Sequence, residues 1–113
     1  MIYTFSTGQM ASGSSTITDW TGTNAAPTTW LAGEGFGYST DDVTLTGGTG
    51  DRFSGPKYAG FTHVGPGFPV ADRTGPTLSS QGQNTMTYRL GTSVNNAAGI
   101  YTTTIVFDVV PQY

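Results

Sequence analysis

Tyr101-Thr102-Thr103-Thr104-Ile105-Val106-Phe107-Asp108-Val109 alternates without a break. Tyr101, Thr103, Ile105, Phe107 and Val109 fall on one side, and Thr102, Thr104, Val106 and Asp108 on the other. A period of two sustained this long is the signature of a β-strand with one buried face. The register follows from charge: the opposite one would put the Asp108 carboxylate into an apolar core without a partner. Just upstream, Met86, Tyr88 and Leu90 alternate with Thr85, Thr87 and Arg89. Only a short segment, residues 94–99, separates the two runs. Because consecutive strands usually neighbour one another, the sequence predicts that they pair antiparallel, with Met86, Tyr88, Leu90 and Ile105 sharing a core face.

The rest of the chain carries the same signal in shorter pieces. Residues 2–6 read as a strand, 8–15 as a polar loop and 15–20 as a second strand. Residues 21–27 are loop-like, 28–31 a third strand, and 36–38 and 43–45 short extended pieces around the Asp41-Asp42 pair. Thr46-Gly47-Gly48-Thr49-Gly50 is a turn. Pro56, Pro66 and Pro69 lack the backbone donor that a sheet interior needs, so residues 52–70 are expected to offer only edge strands, such as 58–64. Residues 71–84 are expected to form a long, mobile surface connection. Helical periodicity is absent apart from one turn at 95–98. The expectation is an all-β fold: one small antiparallel β-sandwich, immunoglobulin-like, Gly/Thr-rich with long loops, spanning residues 1–113 as one domain.

Composition sets the outer limits. Of the 113 residues, 35% are hydrophobic and 10% charged, but the net charge is only −3 and aromatics reach 12%. Disordered chains pair low hydrophobicity with high charge and few aromatics, so a folded domain is the better reading. Threonine suits a half-exposed pleated face. There is no cysteine, which excludes a disulfide scaffold and thiolate zinc sites. The four basic residues, Arg52, Lys57, Arg73 and Arg89, are scattered and form no stripe to neutralise phosphates, so nucleic acid is not an expected partner. No apolar run approaches the ~18 residues of a transmembrane helix. Met1 leads straight into strand-like residues with no legible signal peptide. An exported protein would therefore carry this stretch as a mature fragment or an excised domain.

Ala97-Ala98-Gly99-Ile100-Tyr101-Thr102-Thr103-Thr104-Ile105-Val106-Phe107 resembles the closing strand of bacterial surface β-domains, with the pattern A-G-x-Y-x-T-x-I-x-Y followed by a late Pro. Phe107 stands where Tyr is usual, and Pro111 supplies the Pro. With Gly35-Phe36-Gly37-Tyr38-Ser39-Thr40-Asp41-Asp42, Tyr58-Ala59-Gly60-Phe61 and Pro69-Val70-Ala71-Asp72, most of residues 20–113 looks like extracellular domains of candidate-phylum (Saccharibacteria-like) bacteria. A weaker likeness is to the closing motif of WxL-type cell-wall-binding domains. Thr29-Trp30-Leu31 departs from that family by placing Leu directly after Trp. Chaperone–usher pilins also end in an alternating strand. These resemblances imply an extracellular or cell-surface location and supply no catalytic residues.

Chemistry candidates are few. Asp41, Asp42 and Asp51, with Asp72, offer hard oxygens for Ca²⁺, but their spacing fits no calcium loop and aspartate equally serves turns through its own backbone bonds. Glu34 with Asp41 or Asp42 is the one carboxylate pair resembling a glycosidase set, and nothing else marks a catalytic cleft. His63 is the sole histidine and reads as a surface or half-buried side chain. Trp20, Trp30, Tyr38, Tyr58 and Phe61 either stack on sugars or fill the core of a chain poor in Leu and Ile; the core reading is favoured. Lys57 could join an isopeptide bond, with Asn84, Asn95, Asn96 and Asp108 as nominal partners, only if desolvated, and Pro56-Lys57-Tyr58 looks loop-like. Thr46-Gly47-Gly48-Thr49-Gly50-Asp51 lacks the Lys-Ser/Thr of a phosphate loop.

The expected binding region is residues 33–50 and its surroundings, with Trp30, Tyr38, Asp41 and Asp42 as the candidates; no metal and no cofactor is assigned. The expected function is a structural or adhesive module of a secreted or cell-surface bacterial protein. Its partner would be a surface glycan or a protein, and it would be able to pair through an edge strand. The alternatives are a carbohydrate-binding module and a subunit of an assembling surface fibre. An enzyme is not expected, since no nucleophile–base pair or metal-ligand set is legible.

Overall fold

The computed structural model describes residues 1–73 and 82–111. They form nine strands and no helix. In chain order these are β1 (Ile2–Ser6), β2 (Met10–Ser12), β3 (Ser15–Ile17), β4 (Thr28–Thr29), β5 (Gly35–Thr40), β6 (Lys57–Gly60), β7 (Phe68–Ala71), β8 (Met86–Gly91) and β9 (Ile105–Val109). Three sheets result: β7-β1-β9, the hairpin β2-β3, and β4-β6-β5-β8. Every strand pair is antiparallel. The all-β, sandwich-like architecture expected from the sequence is the one observed.

The core lies between the three-stranded and four-stranded sheets. Tyr38 and Phe36 of β5, Ala59 of β6 and nearby Phe61 meet Val70 of β7, while Ile17, Leu45 and Phe53 close the ends. Ile2, Met86 and Ile105 pack against this cluster from β1, β8 and β9. Aromatics supply most of its volume: Tyr38 lies 4.7 Å from Phe61 and 5.8 Å from Phe53, centroid to centroid. All six residues of β5 are buried, because it sits between β6 and β8 with the core beneath it. Glycine is needed there: a Cβ on Gly37 would stand 2.6 Å from the Ala59 carbonyl oxygen and 3.0 Å from Trp20 Cβ.

Several expectations are corrected. β8 and β9 do not pair: β8 lies beside β5 (Tyr38 opposite Tyr88) and β9 beside β1 (Thr4 opposite Phe107), in different sheets. The connection between them is residues 92–104, longer than the expected 94–99, and it crosses between the sheets. β9 begins at Ile105, so Tyr101 and Thr103 precede it. Its expected inward face is only partly covered, with Ile105 half-buried but Phe107 44% and Val109 67% exposed. The reason is architectural: both β8 and β9 end their sheets, and the described residues place no strand across the gap between them. Residues 8–15 are not simply loop, since Met10–Ser12 pairs back onto Ser15–Ile17 about a turn with Gly13 at φ 61°. Residues 43–45 form a turn in place of an extended piece. β6 lies inside its sheet, between β4 and β5, whereas β7, which carries Pro69, is at an edge as proline requires. The connection expected at 71–84 falls largely outside the described residues.

Candidate functional site

The expected binding residues separate into three environments. Tyr38 is 1% exposed, its hydroxyl accepting a hydrogen bond from Asn24 Nδ2 at 2.9 Å. The same Asn24 nitrogen donates to the Pro69 carbonyl at 2.9 Å, tying β5 to β7. Burial pushes the Tyr38 hydroxyl pKa above its ordinary value, against the lowering effects of the Asn24 bond and the nearby Arg52 charge.

Asp42 and Arg52 are each 7% exposed. Asp42 Oδ1 accepts from the Thr44 backbone N–H at 2.9 Å and from the Thr44 hydroxyl at 3.0 Å, an Asx-type turn. Its Oδ2 accepts from the Asp72 N–H at 2.7 Å, and Asp72 Oδ2 accepts from the Thr46 N–H at 2.7 Å. Arg52 reaches into the loop these carboxylates shape. Its Nε donates to the Asn24 carbonyl at 2.6 Å, Nη1 to Leu45 and Thr49 carbonyls at 2.9 and 3.0 Å, and Nη2 to Asn24 Oδ1 and the Thr46 carbonyl at 2.7 and 2.8 Å. Those bonds use all five guanidinium N–H groups. Burial lowers the Arg52 pKa from its ordinary value, offset by Tyr38, Asp72 and Asp42. The turn 46–50 is thus held by a cation that replaces missing backbone partners.

Asp41 is exposed and caps the entry to β8, its Oδ1 accepting from the Thr85 N–H at 2.9 Å and from Asn84 Nδ2 at 3.1 Å. Asp41, Asp42 and Asp51 do line one cleft of about 330 Å³. Both Asp42 oxygens are already bonded to protein donors. Among the described residues no three or more His, Cys, Asp or Glu side chains are grouped to hold a metal ion.

Trp30 is buried and belongs to a separate aromatic stack. Its ring lies 4.2 Å from that of Trp20, nearly parallel, and meets Tyr58 edge-on at 5.7 Å. The Arg89 guanidinium sits 5.1 Å from the Trp30 ring, within cation–π range. The indole faces press on each other, on Gly35 and on Arg89, so Trp30 and Tyr38 present no flat platform to a sugar. The structure therefore gathers Tyr38, Asp42, Arg52 and Asp72 into one network and leaves Trp30 and Asp41 apart from it. Lys57 is exposed at the start of β6, without the desolvation an isopeptide-forming lysine needs.

One constellation escaped the sequence. Ser6 Oγ lies 2.9 Å from His63 Nδ1, and His63 Nε2 lies 2.6 Å from Asp19 Oδ2. The three residues are 57 and 44 positions apart, so no spacing motif could have shown them. A Ser–His–Asp chain is the arrangement of a nucleophilic hydrolase, but Ser6 is 1% exposed within β1 and its hydroxyl also donates to the Gly8 carbonyl at 3.1 Å. No substrate carbonyl can approach that oxygen. The chain joins β1 to the segments around Asp19 and His63. No family model, no curated protein and no solved structure matches the chain.

Proposed function

We propose that this chain is a structural or adhesive module of a secreted or cell-surface bacterial protein. The observation that carries the reading is the fate of its polar and aromatic side chains. Tyr38, Asp42, Arg52 and Asp72 are buried and bonded to one another's loops, where they hold the backbone. Side chains spent this way stiffen a scaffold, because a satisfied buried network resists rearrangement. Asp41 and Glu34 serve likewise, Glu34 Oε1 accepting from Asn96 Nδ2 at 2.9 Å and so tying the 93–96 loop to the start of β5. The surface left over carries little charge and mixes Thr, Ser, Asn and Gly with exposed apolar side chains such as Leu31, Val94 and Ile100, which suits a spacer or a contact module in a larger extracellular chain. The test is location: antibody raised against this domain should label intact source cells, or detect the protein in their medium. Labelling only after lysis, with all protein in the cytoplasmic fraction, overturns the proposal.

A further inference from the structure

Among the described residues, the sandwich is open along one side. Ile2, Val70, Met86, Tyr88, Phe107 and Val109, together with the polar residues 82–85, line a cleft of about 670 Å³ where β8 ends one sheet and β9 ends the other. The backbone hydrogen bonds show which groups are spare among the described residues. Val110 exchanges both bonds with Met1, N–H to O at 2.8 Å and back at 3.0 Å, and the Thr7 N–H donates to the Thr104 carbonyl at 2.9 Å. Antiparallel ladders alternate, so Val106 and Asp108 also bond to β1, and Ile105, Phe107 and Val109 turn their N–H and C=O outward. In β8 the Asp41 N–H donates to the Thr85 carbonyl, so Met86, Tyr88 and Leu90 are the outward residues. On both edges, the residues with spare backbone groups carry the apolar side chains beside the cleft. A small apolar ligand would leave those donors and acceptors unmet; an extended strand meets those of the edge it joins.

We infer that β9 pairs with β9 of a second copy of this chain. The occupant needs an extended backbone with apolar side chains at alternate positions, and β9 is such a strand. Its edge pairs with itself about a two-fold axis at Phe107. Phe107 of one copy faces Phe107 of the other, Ile105 faces Val109, and on the outer face Val106 faces Asp108, so no carboxylate meets another. Few of the devices that usually block a bare edge are present in Ile105–Val109: it holds no Lys and no Pro, its pairing with β1 runs without a bulge, and its one charge, Asp108, lies on the outer face. Pairing joins two β7-β1-β9 sheets into one of six strands and covers Phe107 and Val109. The contact is independent of where the protein resides, so it stands or falls separately from the location test.

Sedimentation velocity across micromolar to millimolar concentrations should show the mass doubling. Val109→Lys, at a position already mostly exposed, should leave near-ultraviolet circular dichroism unchanged and abolish the dimer, while Val94→Lys, remote from the edge, should leave it intact. In this cysteine-free chain, Phe107→Cys should form an intermolecular disulfide on mild oxidation, since bonded antiparallel neighbours stand about 5.5 Å apart at Cα, within disulfide reach. Asp108→Cys, facing Val106, should cross-link at least tenfold more slowly. The inference is overturned by a mass that stays monomeric to millimolar concentration, by a dimer that survives Val109→Lys, or by equal cross-linking at 107 and 108. A monomer whose outward amides at Ile105, Phe107 and Val109 resist hydrogen exchange also overturns it, because the edge is then covered from within one chain.

Discussion

Arg52 does at one position what a short strand would otherwise do for the 46–50 turn. It is a buried cation with no direct carboxylate partner, held by four backbone carbonyls and the Asn24 side-chain oxygen. Replacing it with Met keeps much of the volume but strands those acceptors in a closed site, and each unmet buried polar group costs about 1–3 kcal/mol. Arg52→Met should therefore lower stability by at least about 3 kcal/mol in urea denaturation. Arg52→Lys should restore only part, since an ammonium has three donors on one atom and cannot span the fork. Tyr38 gives a pH-dependent counterpart. Its folded pKa is raised, chiefly by burial, so folding favours the protonated hydroxyl. That contribution is complete below the unfolded value of about 10 and is lost as pH rises through the folded one. Tyr38→Phe should flatten the alkaline fall in stability, measured as denaturation midpoint against pH. The sequence pointed to Tyr38 and Asp42 as members of one site, and they do share a network. Asp72 was grouped with Asp42 only as an oxygen donor for calcium, and Asn24 and Arg52 were not legible as partners, because the contacts join residues 28 and 30 positions apart through loops without periodicity.

Strands were legible where alternation was long and pairing was not. Ile2–Ser6 matches its expected bounds and Met86–Gly91 begins where the period of two placed it, whereas the alternation over 101–109 is strand only at Ile105–Val109. Alternation assigns a face but no neighbour, which is why β8 and β9 were expected side by side although each ends a different sheet. The same limit hid β2, whose Met10-Ala11-Ser12 is too short to show a period, and put β6 at an edge on the strength of prolines that lie outside it. Glycine spacing carried information the hydrophobic pattern lacked. Gly60 ends β6 directly under the Trp20 backbone, and a Cβ there would overlap the Trp20 carbonyl oxygen and come within 3.1 Å of its carbonyl carbon and nitrogen. Backbone cannot yield as a flexible side chain can. Gly60→Ala should cost about 2–3 kcal/mol, the scale of overpacking. Gly8→Ala, with nothing within 4 Å of the added carbon, should change stability by less than about 0.5 kcal/mol. Thermal or urea melts of the two variants check the contrast.

At the scale of the molecule, the first and last strands are neighbours. β1 occupies the middle of its sheet, with β7 on one side and β9 on the other, and Tyr3 stands opposite Asp108. The three-stranded sheet therefore cannot form until nearly the whole chain is available, and closing so long a loop is an entropic cost borne by the unfolded ensemble. A covalent link between the two strands removes that cost in advance. Tyr3 and Asp108 point to the face away from the core and form a hydrogen-bonded antiparallel pair, which sets their Cα atoms about 5.5 Å apart, near the usual disulfide separation. With no native cysteine to compete, Tyr3→Cys with Asp108→Cys should oxidise to one intramolecular disulfide. The chain-entropy relation gives about 4.7 kcal/mol for a loop near 100 residues, and native strain reduces the usual yield to about 2–4 kcal/mol. Urea denaturation of the oxidised variant should show that gain over the same protein in reductant, with a smaller m-value as the cross-linked unfolded state stays compact. An oxidised form no more stable than the reduced one would mean that β1 and β9 are not paired in this register, and the open edge inferred for Ile105, Phe107 and Val109 would fall with it.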